Sequence, residues 1–132
     1  MADTMQFDLV SPERSLLSGQ ATAVRIPGAD GDMTAMPNHA PTVTTLRPGV
    51  LTVEMDGGDQ TFAVTGGFAQ ISSEGTTILA EEALPTSEVT AEFVSERVAK
   101  AEAARDAAEG EAVDAAAKLV SDLVALGQDV GV

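Results

Sequence analysis

The sequence has no cysteine, tryptophan or tyrosine, and His39 is its single histidine. Without cysteine there can be no disulfide, thiol nucleophile or zinc–thiolate site. Aromatic residues make up 3% of the chain and all are phenylalanine, so aliphatic side chains and methionine must form the core. No apolar run approaches the roughly 20 residues of a membrane-spanning helix, and the first residues lack the pattern of a signal peptide. We therefore expect no direct membrane insertion, and any membrane association must come through a partner.

Basic residues are also scarce. Seven Lys and Arg stand against 21 Asp and Glu, which gives a net charge of −14. Such a field repels phosphate backbones and anionic lipid headgroups, so we do not expect nucleic acid as a partner. A nucleotide would need a strong local site. The same charge is equally typical of a surface that only keeps a protein soluble.

Up to about Ala83 the apolar residues alternate with polar ones, as Met5, Phe7 and Leu9 do. A period of two is typical of half-buried strands. Glycine-rich turns separate these runs, and glycine supplies the positive φ angles of tight hairpins. The turns fall at 28–31, 56–59, 66–67 and 74–75. Many short strands with such turns predict an antiparallel sandwich or flattened barrel.

After Pro85 the apolar spacing becomes helical. Ser87 or Thr90 can cap a first helix, and Gly110 should end it. A second apolar stripe follows, with Gly127 as the expected C-cap. The pattern predicts a two-helix antiparallel hairpin.

The chain thus divides into a β-sandwich at 1–86 and a helical hairpin at 87–132. The first helical stripe is mostly alanine, which buries little area at roughly 25 cal/mol per Å². We therefore expect the hairpin to be marginal unless it leans on the sandwich or on another protein. Weak docking suits either a mobile regulatory arm or a vestigial appendage.

The residues offer little for catalysis. No G-x-S-x-G, P-loop or G-x-G-x-x-G is present. The acidic pair Asp30 and Asp32 hints at a calcium loop, but Ala35 and Pro41 stand where that loop needs Gly and Glu. His39 could be a reactive group, a metal ligand or packing, and without a base partner the last is the usual role. We predict no catalytic residue, metal or cofactor, and hence no enzyme.

Three prolines, Pro37, Pro41 and Pro48, stiffen the segment that contains His39. A stiff exposed loop suits presentation to a partner. An Ω-type structural corner would have the same composition. The residues alone leave both interpretations open.

Several stretches resemble the ε subunit of F-type ATP synthases. GDMTAMPNHAPTVTTLRPG, 31–49, is similar to the signature of that family, with its P-x-H-A-P and later P-G. FDLVSPERSLLSG, 7–19, resembles the family's first strand and turn, and GGFAQI, 66–71, its later Gly-Gly strand. Helix, break and helix then follow in the family's order, so the resemblance covers essentially the whole chain.

The resemblance implies a flattened ten-stranded β-sandwich followed by a two-helix hairpin. It implies a non-catalytic rotor subunit that docks on the γ subunit and the c-ring, below the α/β catalytic head, and couples ion flow to ATP synthesis. The location would be peripheral, on the cytoplasmic face of a bacterial inner membrane. Docking to the c-ring and γ would fall on Gly28, Asp30, Gly31, Asp32, Met33, Pro37, His39, Ala40, Pro41 and Thr42.

Within that set, two residues have implied roles. Asp32 occupies the family's acidic position, which faces c-ring loops that often carry basic residues. His39 is implied to order the docking corner rather than to perform chemistry.

Two functions of some family members are not expected here. Their hairpin extends into the catalytic head with the help of basic residues, whereas 109–132 contains one base, Lys118, among five acids. We therefore expect weak inhibition of hydrolysis or none. Their ATP motif, I/L-D-x-x-R-A, aligns with 89–94, where both Asp and Arg are missing. Arg97 or Arg105 could substitute, and a free-standing nucleotide-sensing regulator remains the alternative function.

Overall fold

In the computed structural model, which describes residues 3–38 and 40–132, nine strands precede two helices within the described residues. The strands are β1 Met5–Val10, β2 Ser15–Gly28, β3 Gly31–Ala35, β4 Thr42–Leu46, β5 Gly49–Met55, β6 Gly58–Val64, β7 Gly67–Ile71, β8 Gly75–Ala80 and β9 Ala83–Pro85. A 3-10 turn at Thr86–Glu88 leads to helices α1, Ala91–Ala107, and α2, Ala112–Val130.

The long strand β2 belongs to both layers of the sandwich. Its first half pairs with β1, and its second half lies between β3 and β5. Between Ala21 and Ala23 the register with β5 shifts, and such a bulge bends a strand and increases its twist. One layer therefore runs β4-β7-β8-β1-β2 and the other β3-β2-β5-β6-β9.

The predicted fold class, a β-sandwich followed by a helical hairpin, is confirmed. Two details differ. The described residues form nine strands rather than ten, because β2 continues through both layers as one 14-residue strand. The β1–β8 pair is parallel, whereas the other pairs are antiparallel.

The core lies between the layers and consists of the alternate residues that the sequence indicated. Phe7 and Leu9 of β1 are fully buried, as are Leu51 of β5 and Ile78 of β8. The polar residues between them face outward, as in Asp8. At roughly 1.5–3 kcal/mol for each large apolar side chain, this burial is the main stabilisation of the sandwich.

Thr90, one of the two predicted caps, is the N-cap of helix α1. The Thr90 hydroxyl accepts a hydrogen bond from the Phe93 N–H at 3.0 Å. The break between the helices is at Gly110, as predicted, where φ is 62°. A left-handed residue costs glycine little, so the chain can reverse there.

The predicted C-cap at Gly127 is wrong. Helix α2 continues through it to Val130, and Gly131 ends the helix with φ at 82°. The Val132 N–H returns to the Gly127 carbonyl at 2.9 Å, as in a Schellman-type end. Gly127 instead is buried where α2 meets α1, and a Cβ there would lie 2.9 Å from Val94 Cγ1.

The hairpin packs against the sandwich, one of the two supports that its alanine-rich stripe was expected to need. Leu126 of α2 is buried in a second apolar cluster with Ala63 of β6 and Val89. Phe93 and Val94 of α1 pack against the same cluster. The sheet ends at Pro85 and α1 begins at Ala91. The division at 86/87 into two separate domains stays a prediction.

Candidate functional site

The connection between β2 and β3 forms a tight hairpin tip, which with the first residues of β3 we call the docking corner, residues 28–33. Gly28 pairs with Gly31 across the two-residue turn Ala29–Asp30. Gly31 has φ of 141°, and a Cβ on Gly28 would lie 2.7 Å from the Gly31 carbonyl oxygen. Both glycines are therefore required for the turn. It exposes the Asp30 and Asp32 side chains.

Arg47, just after β4, reaches over this hairpin. Its Nη1 donates to the Gly28 carbonyl oxygen at 2.6 Å, and its Nη2 forms an ion pair with Asp32. Beside it, the Ala29 N–H donates to the Thr45 carbonyl at 2.9 Å. The end of β4 and the tip of the hairpin are thus one bonded unit. Arg47 was not among the residues predicted from the sequence, because its partners are distant along the chain.

The predicted docking residues fall in two groups. Gly28, Asp30, Gly31, Asp32 and Met33 lie together in the docking corner. The other described docking residues lie in the connection from β3 to β4 or at the first residue of β4. They are Pro37, Ala40, Pro41 and Thr42. His39 lies outside the described residues.

Strand β4 joins the two groups. Its end, Leu46, pairs with Gly28, and its first residue, Thr42, lies about 13 Å away along the strand. The Thr42 hydroxyl donates to the Ala40 carbonyl at 3.1 Å, which orders the start of β4. A partner that touches both groups must therefore span more than one loop.

A second surface was not predicted at all. On the outer side of the β4-β7-β8 layer, Val43, Phe68 and Leu79 are 69%, 52% and 41% exposed. Phe68 pairs with Leu79, and Leu79 with Val10 of β1, so their side chains share one side of the sheet. We call this apolar surface the outer face. A shallow cavity of about 340 Å³ lies beside Phe68 and Leu79.

A sequence signal for the outer face exists. In β7, Ala69 and Ile71 are buried, so Phe68 must point to the opposite side of the strand. A large aromatic residue opposite the buried series indicates a covered outer surface. Only the pairing with β4 and β8 shows that Val43 and Leu79 lie beside it.

A polar ladder borders the apolar residues on β1 and β2. The Ser18 hydroxyl donates to Asp8 at 2.7 Å, and Gln6 donates to Ser18 at 3.1 Å. Gln20 then donates to Gln6, and Thr4 to Gln20, each at 3.0 Å. An apolar centre with a polar, hydrogen-bonded border is the usual anatomy of a protein–protein interface.

The residues considered for a nucleotide already have partners. Arg97 binds Glu82 through two nitrogens, at 2.6 and 3.2 Å, and lies over the Phe93 ring. The hydrogen bond from Arg97 lowers the pKa of Glu82, against a smaller opposing effect of desolvation. Arg105 lies between Glu102 and Asp106, with N–O distances of 3.8 and 3.5 Å.

Nothing among the described residues suggests a metal or a membrane span. Residues 3–38 and 40–132 contain no cluster of three or more acidic, His or Cys side chains that could hold an ion. In the same residues, neither helix combines the length and the apolarity needed to cross a bilayer.

Comparison with known proteins gives the family. Residues 4–86 match the model of the ATP synthase delta/epsilon chain β-sandwich domain, which is more than half of the chain. The chain belongs to the ATP synthase delta/epsilon family. Relatives named ATP synthase epsilon chain include those of Ruegeria sp. TM1040, 57% identical, and Paracoccus denitrificans, 55% identical. The alignments cover 96% of both chains for the first, and 99% of this chain and 93% of the relative for the second.

Two solved structures share the fold of this epsilon-family chain. One is a chain of the Euglena gracilis mitochondrial ATP synthase, at a TM-score of 0.73 and 22% identity, covering 96% of this chain and 80% of that one. The other is from the Tetrahymena thermophila mitochondrial ATP synthase, central stalk and c-ring, at 0.73 and 17%, covering 98% of both. At these identities the likeness concerns the fold.

The sequence resemblance to the epsilon family is therefore confirmed. The chain is a non-catalytic subunit of an ATP synthase, a membrane-associated complex. Two exposed surfaces of different chemistry stand out among the described residues, the apolar outer face and the acidic docking corner.

Proposed function

We propose that this epsilon-family chain is a rotor subunit of the central stalk, which holds the γ subunit and the c-ring together below the α/β catalytic head. In this role it passes torque from ion flow to ATP synthesis, on the cytoplasmic face of a bacterial inner membrane. The observation that carries the proposal is the pair of exposed surfaces, one apolar and one acidic, on a single rigid sandwich. Two permanent neighbours of different chemistry require such a pair.

The outer face is proposed to bind γ. Permanent interfaces are more apolar than transient ones, and Val43, Phe68 and Leu79 form an apolar surface on paired strands. Because backbone hydrogen bonds hold these strands in place, little ordering entropy is lost on docking. The polar ladder from Thr4 to Asp8 would then lie at the rim.

The docking corner is proposed to meet the loops of the c-ring. It carries two carboxylates, Asp30 in the turn and Asp32 on β3, and Arg47 binds both strands of the hairpin. The connection with Pro37, Ala40, Pro41 and Thr42 extends this contact, and His39 belongs to the same proposed set. A stiff corner suits torque transfer, because a compliant one would absorb part of the rotation.

The hairpin is proposed to inhibit ATP hydrolysis weakly or not at all. Lys118, the one base of 109–132, is paired with Asp122 at 2.6 Å. The second helix therefore offers an acidic surface with its base already paired, and it lacks the free basic residues that help the hairpin of some family members enter the catalytic head. With Arg97 and Arg105 also paired, ATP is not expected as a ligand.

The test is a binding assay with purified γ. Phe68→Ser should weaken binding at least tenfold, since truncation of a hot-spot aromatic residue costs about 2 kcal/mol or more and about 1.4 kcal/mol is a factor of ten. Leu119→Ser is the matched control, because Leu119 is similarly exposed but lies on α2. Equal effects of the two variants, or no effect of Phe68→Ser, would reject the outer face as the γ site.

The competing function, a free-standing nucleotide sensor, makes the opposite prediction. Titration of the isolated chain with ATP should then release heat and loosen α1 and α2. If ATP binds and γ does not, the rotor proposal fails.

A further inference from the structure

We propose that Arg47 is a positioning residue of the docking corner: it neutralises Asp32 and leaves Asp30 as the charge that the corner presents to the c-ring. This inference rests on the proposed function, because it concerns how the same corner recognises its partner. It also differs from what the family resemblance implies, in which Asp32 is the acidic contact.

The position of Arg47 carries the first step. One guanidinium binds acceptors on both strands of the hairpin, the Gly28 carbonyl on β2 and the Asp32 carboxylate on β3. Its own backbone is held as well, since the Arg47 N–H donates to the Pro27 carbonyl at 3.0 Å. Because the guanidinium of Arg47 is planar and its backbone is already hydrogen-bonded, the side chain loses little further conformational entropy when it pairs. An ordinary surface ion pair loses more.

The surroundings of Asp32 carry the second step. Register places Asp32 beside Pro27 and Thr34 beside Arg25, so Asp32 and Arg25 lie on one side of the hairpin. Asp32, Arg25 and Arg47 all line a groove of about 450 Å³ between the sandwich and α2. The Asp32 side chain is 78% exposed and is paired with Arg47. Asp122 and Asp129 of α2 line the far side of this groove.

Asp30 is in the opposite situation. It is exposed at the tip of the turn, and within the described part of the chain it has no ion-pair partner. The corner therefore contains two carboxylates, of which Asp32 is paired with Arg47 and Asp30 is not. A charge at the rim of an interface acts mainly on the association rate and on salt dependence.

The test uses the full-length chain and a purified complex of γ and the c-ring, with binding rates measured at low and at high salt. Asp30→Asn should lower the affinity about threefold or more at low salt and flatten the salt dependence. Asp32→Asn should change the affinity less than twofold and leave the salt dependence intact. Equal loss from the two variants, or a larger loss from Asp32→Asn, would overturn the assignment of the charge.

Substitutions of Arg47 test its positioning role. Arg47→Met should release Asp32 as a second charge and steepen the salt dependence, and Arg47→Met combined with Asp32→Asn should remove that steepening. Arg47→Lys should restore the charge balance but only part of the hairpin order, because an ammonium cannot bind both acceptors as a planar fork. If Arg47 only stabilised the fold, its substitution would not steepen the salt dependence, and adding Asp32→Asn would not reverse that change.

Amide exchange on the isolated chain gives a readout that needs no partner. The Ala29 N–H, bonded to Thr45, should exchange several-fold faster in Arg47→Met and at the wild-type rate in Asp30→Asn. Unchanged exchange and salt dependence in Arg47→Met would refute the positioning role. If the wild-type chain does not bind the complex of γ and the c-ring, the proposed function itself has failed, and the exchange experiment still decides what Arg47 does.

Discussion

Arg97 of α1 donates two hydrogen bonds to Glu82 of the β8–β9 turn, from Nη2 to Oε2 at 2.6 Å and from Nε to Oε1 at 3.2 Å. Its guanidinium carbon lies 3.9 Å from the centre of the Phe93 ring. The pair joins the hairpin to the sandwich through side chains. It is a polar attachment of the hairpin beside the apolar one at Leu126.

The first prediction concerns pH. Arg97 holds the pKa of Glu82 below its ordinary value of 4.5, so Glu82 contributes stability above the unfolded pKa. This contribution is lost as the pH falls through the lower, folded pKa. Glu82→Gln should therefore reduce the free energy of unfolding by up to about 1 kcal/mol at neutral pH, a modest value because both side chains are partly exposed. Urea unfolding as a function of pH measures it.

Glu96→Gln is the control for this pair. Glu96 also binds Arg97, at 3.1 Å, but lies on the same helix and cannot join the hairpin to the sheet. Glu96→Gln should reduce the free energy of unfolding by less than about 0.5 kcal/mol. A gap between wild type and Glu82→Gln that persists below the folded pKa would contradict the ion-pair explanation.

The second prediction concerns Gly127. Alanine in a helix interior is normally favoured over glycine by about 1 kcal/mol. Here the added methyl group would lie 2.9 Å from Val94 Cγ1. The β-branched valine has few alternative χ1 rotamers in a helix and so cannot easily move away. We expect Gly127→Ala to destabilise the chain by about 1 kcal/mol, because overpacking outweighs the helix propensity.

The partner substitution decides the cause. Val94→Ala leaves room for the new methyl group, so Gly127→Ala in that background should be neutral or stabilising in thermal unfolding. Equal destabilisation in both backgrounds would rule out the contact with Val94 as the reason.

The third prediction compares two glycines with positive φ. Gly67 begins β7 with φ of 130°, and a Cβ there would collide with the Leu79 carbonyl oxygen. Gly57, with φ of 96°, has open space around it. Gly67→Ala should therefore cost more than about 3 kcal/mol or prevent folding, whereas Gly57→Ala should cost about 1 kcal/mol from backbone strain alone. Chemical denaturation of both variants measures the difference, and similar costs would show that φ rather than collision dominates.

The fourth prediction tests the division into domains. The large core cluster draws only on residues of the sandwich, between Met5 and Ala83. A chain ending at Glu88 should therefore still unfold cooperatively. It should lose about 3 kcal/mol, since Ala63 and Leu84 lose the cover of Phe93 and Leu126. Calorimetry of the shortened chain checks this, and loss of the cooperative transition would mean that the hairpin is part of one folding unit.

Local features were predictable because their causes lie within a few residues. Alternation marked the buried strands around Phe7, Leu51 and Ile78, and these residues are core. Thr90 and Gly110 were recognisable as helix cap and break from their own chemistry. The family could also be inferred, since the PNHAP segment and its neighbours carry that information in order along the chain.

The misses have a common origin in contacts between distant segments. Gly127 had the composition of a C-cap, but its neighbour Val94 on the other helix makes it a packing site. The pairing of Asp32 with Arg47, 15 residues later, was likewise not predicted, and the role of Asp32 at the c-ring stays a prediction.

The periodicity, the turns and the family of this protein can be inferred from its sequence, because each depends on the order of neighbouring residues. Three features depend on the folded arrangement: β2 serves both layers, Phe68 and Leu79 form one outer face, and Arg47 spans the hairpin. Strand register brings residues together across long stretches of chain, and a local pattern contains no record of which strand will lie alongside. Both proposed docking surfaces therefore depend on strand pairing.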